Sequence, residues 1–147
     1  MDILEKIKGT WLLDSWTYRD GGGDEKDYFG PGPGGILMFD GRGRMNVQVH
    51  RSDRSRFGSE GILGGEPEEI SAAFTSYFAY YGTYEKGEEP DTVVNIVEGA
   101  LFPNWVGDKQ VRYVSVQNDY LLLTTPPVLA GEEVRRFTLK WKRSDTQ

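Results

Sequence analysis

Gly9-Thr10-Trp11-Leu12-Leu13-Asp14-Ser15-Trp16-Thr17-Tyr18 near the start and Phe137-Thr138-Leu139-Lys140-Trp141-Lys142-Arg143 at the end decide the fold of this chain. In an extended segment successive side chains point to opposite faces. Trp11, Leu13, Ser15 and Thr17 then share one face, and Leu12, Asp14, Trp16 and Tyr18 the other. The last stretch reads as a second strand that carries tryptophan and arginine. A Gly-x-Trp on the first strand and a Trp/Arg-bearing last strand suggest a sheet closed on itself, first strand beside last. Such a sheet has an interior, and an interior can hold a ligand.

Between these ends the pattern is a meander. Ile3, Leu4 and Ile7 have helical spacing and predict a short helix that plugs one end of the barrel. Gly21-Gly22-Gly23 ends the first strand, and Tyr28 to Gly35 is a Gly/Pro loop. Ile36–Phe39 and Arg44–His50 are strands joined by Asp40-Gly41-Arg42-Gly43, a tight hairpin signal. Residues 51–65 read as a polar, mobile loop. Glu66-Pro67-Glu68-Glu69 starts the only long helical pattern, with Ile70, Ala73, Phe74, Tyr77, Phe78 and Tyr81 on one face across the barrel mouth or flank. Gly82–Lys86, Thr92–Leu101, Gln110–Val116, Tyr120–Thr125 and Gly131–Arg143 complete eight strands. The expected fold is all-β: an eight-stranded antiparallel up-and-down barrel, with a short N-terminal helix and one helix between strands three and four. Eight strands leave room for side chains or one small ligand, and closure removes exposed edges. No repeat or linker divides the chain, so residues 1–147 form a single domain with a polar tail at 144–147.

The chain has 17 basic and 23 acidic residues and a net charge of −6. That sign opposes a phosphate backbone, so nucleic acid is not an expected partner. Arg42, Arg44, Arg51, Arg54 and Arg56 read as a solvated loop and strand edge. There is no cysteine, which excludes disulfides and thiolate chemistry, and His50 is the one histidine. A zinc site would need carboxylates throughout, so neither a metal nor a cofactor is expected. Residues 1–8 lack the apolar core of a signal peptide, and no apolar run reaches membrane-span length. A cytoplasmic protein is the expectation.

Taken in order, Gly9-Thr10-Trp11, Gly35 to Gly41, Met45 with Val47, Tyr81-Gly82-Thr83-Tyr84, Pro103-Asn104-Trp105-Val106-Gly107, Arg112, Leu121-Leu122-Leu123 and Leu139 to Arg143 resemble the lipocalin-like domain family of the calycin superfamily. The resemblance covers nearly the whole chain. It implies that Trp11 sits at the closed barrel end, with Trp141 also among the closure residues and Arg143 or Arg136 packed across the Trp11 ring as a cation–π contact of about 0.5–2 kcal/mol. Many members carry a histidine on the fifth strand where this chain has Asn95. A histidine can act as a general base near neutral pH, whereas an asparagine only hydrogen-bonds.

Asn95 lies amid Val93, Val94, Ile96 and Val97, so it either satisfies a neighbour or awaits a ligand. Arg112 could bind a carboxylate or enolate if it faces inward; outward, it is a surface arginine. Phe39, Tyr84, Trp105 and Tyr113 are candidate pocket walls or core, with Trp105 a lid or rim. His50 shares a face with Arg44, Asn46 and Gln48, and no Gly-x-Ser-x-Gly elbow accompanies it. Glu68-Glu69, Glu88-Glu89 and Glu132-Glu133 fall at turns and element ends. The glycine-rich stretches lack the Gly-Lys-Ser/Thr of a phosphate cradle.

These residues support three functions. The first is binding of a small apolar or amphipathic molecule inside the barrel, oriented by Asn95, Arg112 and Tyr84. The second is a barrel enzyme, a cyclase, isomerase or hydratase acting on a secondary-metabolite-like substrate by confinement and a few hydrogen bonds. The third is a filled barrel serving oligomerisation or protein contact, which leaves a homodimer open.

Overall fold

Gly9 opens the first strand at φ +122°, a conformation that side chains rarely adopt. A Cβ added there would also come 3.1 Å from the Arg143 guanidinium. The ends of the chain thus meet at this point. The computed structural model describes residues 2–20, 23–130 and 132–144. Helix α1 (Ile3–Ile7) leads into β1 (Gly9–Arg19), followed by β2 (Glu25–Asp27), β3 (Gly34–Phe39) and β4 (Arg44–His50). Helix α2 (Pro67–Thr75) then precedes β5 (Tyr77–Lys86) and β6 (Thr92–Ala100). A 3-10 turn (Pro103–Trp105), β7 (Lys109–Gln117), β8 (Tyr120–Thr124), β9 (Val128–Ala130) and β10 (Glu133–Arg143) complete the chain.

The sheet order is β2-β1-β3-β4-β5-β6-β7-β8-β10-β9, and β1 also pairs with β10. The ring of β1, β3 to β8 and β10 is the expected closed eight-stranded antiparallel barrel. Short strands β2 and β9 are additions, hydrogen-bonded to the outer parts of β1 and β10. The seam runs from Trp11 opposite Arg143 to Arg19 opposite Arg136.

The barrel's two ends differ. At one end lie α1 and the tight turns β3–β4, β5–β6 and β7–β8. Trp11, fully buried, donates its indole N–H to Ile7 O at 2.8 Å. Arg143 lies 4.1 Å over the Trp11 ring and donates to Lys8 O at 3.0 Å and Lys6 O at 2.9 Å. One guanidinium therefore covers the ring and takes up the carbonyls of Lys6 and of the C-cap residue Lys8, which a helix end otherwise leaves unbonded. Of the two basic residues the resemblance offered, Arg143 holds the place, while Arg136 is exposed. The other end carries the longer connections, including α2 and the 3-10 turn.

Three details depart from the sequence pattern. The β1 register shifts between Leu13 and Ser15. This bulge puts Trp16 on the buried side with Trp11, where simple alternation placed them on opposite faces. The helix also stops at Thr75, so Tyr77, Phe78 and Tyr81 belong to β5 instead. Their spacing satisfies both periods, and pairing with β4 from Arg44–Thr83 to His50–Tyr77 decides between them. At Gly82 the β5 and β6 backbones approach so closely that a Cβ would meet Ile96 O at 1.8 Å. Finally, β10 begins at Glu133. The expected strand start at Gly131, the break at Gly21-Gly22 and tail residues 145–147 lie outside the described residues. No helix among the described residues is long and apolar enough to cross a membrane.

Candidate functional site

Above the packed base the barrel opens into a cavity of about 750 Å³. Leu37, Val47, Leu123, Leu139 and Trp141 line its walls, and Phe74, Phe102, Trp105 and Leu129 come from the connections at the open end. An aromatic group stands on one side. The Trp16 ring is 4.8 Å from Tyr28, 4.8 Å from Phe29 and 5.3 Å from Phe78. Phe78 continues edge-on to Trp105 at 5.3 Å. Such rings provide large apolar area with few rotatable bonds.

The polar side chains gather on β5, β6 and β7. Register pairs Asn95 with Gln110 and Val93 with Arg112, so the amides and the guanidinium share the inner face. Asn95 is 1% exposed. Its Nδ2 donates to the Tyr80 hydroxyl at 3.2 Å, while its Oδ1 is buried without a partner. Arg112 donates to Gln110 Oε1 at 2.7 Å and Val111 O at 2.8 Å. Both acceptors are neutral, so its charge is held in place without a carboxylate.

The expected site residues divide into three groups. Asn95, Trp105 and Arg112 line the cavity. Phe39 and Tyr84 do not: their rings meet edge-on at 4.8 Å and fill the base. Burial pushes the Tyr84 phenol up, opposed in part by a hydrogen bond with the Gly41 backbone. Tyr113 lies between Arg112 and Val114 on β7, faces outward and is 38% exposed. It is no pocket wall, because strand alternation sends it away from its inward neighbours. His50 is also outside, its ring stacked 5.7 Å from Tyr77 and its Nδ1 2.9 Å from Arg51 O.

Sequence reasoning missed Tyr80, Gln110, Trp16 and the second role of Trp141. Gln110 was recoverable as the residue two before Arg112 on the same face. Trp16 was hidden by the bulge. Trp141 was assigned to closure alone, yet it also lines the cavity. Among the described residues no group of three or more His, Asp or Glu side chains could hold a metal ion.

Comparison with known proteins agrees with this architecture. The 4'-hydroxy-3'-methoxypropiophenone carrier protein of Aspergillus oryzae is 34% identical over 107 residues, covering 67% of this chain and 96% of that protein. The family described as the lipocalin-like domain matches residues 8–144. That match runs from the residue before Gly9 to the residue after Arg143, the two ends that close the barrel, and the chain belongs to the lipocalin-like domain family.

Proposed function

We propose that this protein is a carrier or binder of a small, largely apolar molecule with polar groups, held inside the barrel. The observation that carries this reading is the cavity itself: about 750 Å³, mostly apolar and aromatic, with one polar strip. Drug-sized ligands occupy pockets of roughly 300–1,000 Å³ with few, well-placed polar groups. The similarity to a carrier of a hydroxylated, methoxylated aromatic ketone supports the same class of cargo. The polar strip suits binding better than proton transfer. Asn95 has no titrating proton, and the Arg112 guanidinium donates hydrogen bonds and accepts none.

Native mass spectrometry of protein purified from its own host tests the proposal. The expected result is a retained molecule of a few hundred daltons that leaves on denaturation and is recovered unchanged after hours with fresh protein. Conversion of that molecule by wild type, and not by Arg112→Ala, would make the protein an enzyme. Absence of any bound molecule, together with no uptake of biphenyl-sized probes, would remove the binding reading.

A further inference from the structure

Asn95 Oδ1 and the Trp141 and Trp16 indole nitrogens share an anomaly. All three are buried without a hydrogen-bond partner, and all three residues line the cavity. Asn95 is 1% exposed and Trp141 fully buried. Buried polar groups in folded proteins are nearly always paired, because an unpaired one forfeits its bonds to water. The rest of this core obeys that rule. Thr92 donates to Glu89 O, Thr125 accepts from the Phe137 amide, and Trp11 donates to Ile7 O. Two of the exceptions, on Asn95 and Trp141, lie at the inner part of the cavity; Trp16, opposite Leu139, stands further toward the mouth, and a fourth unpaired atom, Arg135 Nε, lies outside the cavity lining. Asn95 is cross-strand from Tyr84 of the base, and Trp141 is cross-strand from Leu13, next along the inner face from Trp11.

We propose that the inner end of the cavity selects its ligand by a hydroxyl group, phenolic or alcoholic, whose hydrogen is accepted by Asn95 Oδ1. The inference rests on the binding role above and deepens it. Trp141 Nε1–H supplies a donor to an oxygen of the same ligand. The direction of the bonds decides the chemistry. An indole nitrogen only donates, so a ketone or ether oxygen would satisfy Trp141 and leave Asn95 Oδ1 bare. A hydroxyl both donates and accepts. In the structure Nδ2 donates to the Tyr80 oxygen at 3.2 Å and Oδ1 is turned away from it. A carboxylate would bring acceptors only and no hydrogen for Asn95 Oδ1.

The test is a matched series of one ring system: 4-phenylphenol, 4-methoxybiphenyl, 4-acetylbiphenyl and biphenyl, titrated by tryptophan fluorescence. Wild type is expected to bind the phenol about tenfold or more tighter than the ether or ketone, since each 1.4 kcal/mol is a factor of ten. Asn95→Leu removes the acceptor at similar volume. It should erase the preference while leaving biphenyl affinity the same or tighter; because it also removes the Tyr80 hydrogen bond, the ligand order and not the melting temperature is the readout. A purely structural Asn95 would leave the ligand order intact. Equal binding of all four by wild type, or a preference for ketone or ether, overturns the hydroxyl proposal while the carrier reading stands. Failure of every probe to bind overturns both. The wild-type series decides the matter even if the variant fails to fold.

Discussion

Arg143 shows how much one side chain can settle. Its guanidinium lies 4.1 Å above Trp11 and bonds to two backbone carbonyls of the segment that plugs the base. Lysine would keep the charge but not the planar fork, so it cannot stack on the ring and reach both carbonyls together. Arg143→Lys is expected to cost about 1–2 kcal/mol, the scale of one or two lost hydrogen bonds. For a chain of this size that lowers the melting temperature by roughly 2–8 °C, at about 2–4 °C per kcal/mol. Thermal unfolding followed by circular dichroism measures it, and an unchanged midpoint would remove Arg143 from the closure. This device was legible in the sequence because it needs only residue types at the two chain ends. The role of Asn95 was legible as a question alone. Whether a polar residue among valines is satisfied depends on Tyr80, fifteen positions away, and no local pattern reports that distance.

At the scale of elements, α2 is a lightly anchored piece of the mouth. None of its nine residues is buried, yet Phe74 and Thr75 line the cavity. Local opening is easiest where few apolar contacts resist it. Glu69 holds the helix start: its carboxylate accepts from the Glu66 amide at 2.9 Å and from the Gly58 amide at 2.8 Å. These backbone donors, Glu66 first, hold its pKa below the ordinary value of 4.5. A lowered folded-state pKa gives stability that is full above the unfolded-state value and is lost as pH falls through the folded one. Amide exchange at Glu66 and Gly58 should therefore accelerate as pH drops below the usual carboxylate range, beyond the intrinsic change, while amides in β1 and β10 stay protected. Glu69→Gln should make the helix start looser at neutral pH and abolish the pH response. Equal responses in wild type and variant would show that another group governs the mouth. The end of this helix was not legible. Phe74, Tyr77, Phe78 and Tyr81 fit a helical face, while Phe78, Tyr80 and Tyr84 fit a strand face, and the long pairing with β4 selects the second from Tyr77 onward.

For the whole molecule, the division between a packed base and an open cavity separates stability from binding. Closure, strand number and the plugging helix follow from composition and period, because a sheet with so many β-prone segments must hide its edges. The location of empty space does not follow, since it is set by where large side chains from different strands happen to meet. Phe39 and Tyr84 meet at the base, whereas Leu123 and Leu139 leave room. The two regions should therefore respond oppositely to substitution. Phe39→Leu removes volume from a filled site and should cost about 0.5–3 kcal/mol, with probe affinity little changed. Leu123→Phe adds volume where space exists, so its effect on stability should stay within about 1.5 kcal/mol of zero, in contrast to overpacking a full core. Its ring would occupy the ligand's place and weaken biphenyl binding at least tenfold. Urea unfolding and fluorescence titration of both variants give the four numbers. The division fails if Phe39→Leu weakens binding as much as Leu123→Phe does, or if Leu123→Phe unfolds the barrel while leaving affinity intact.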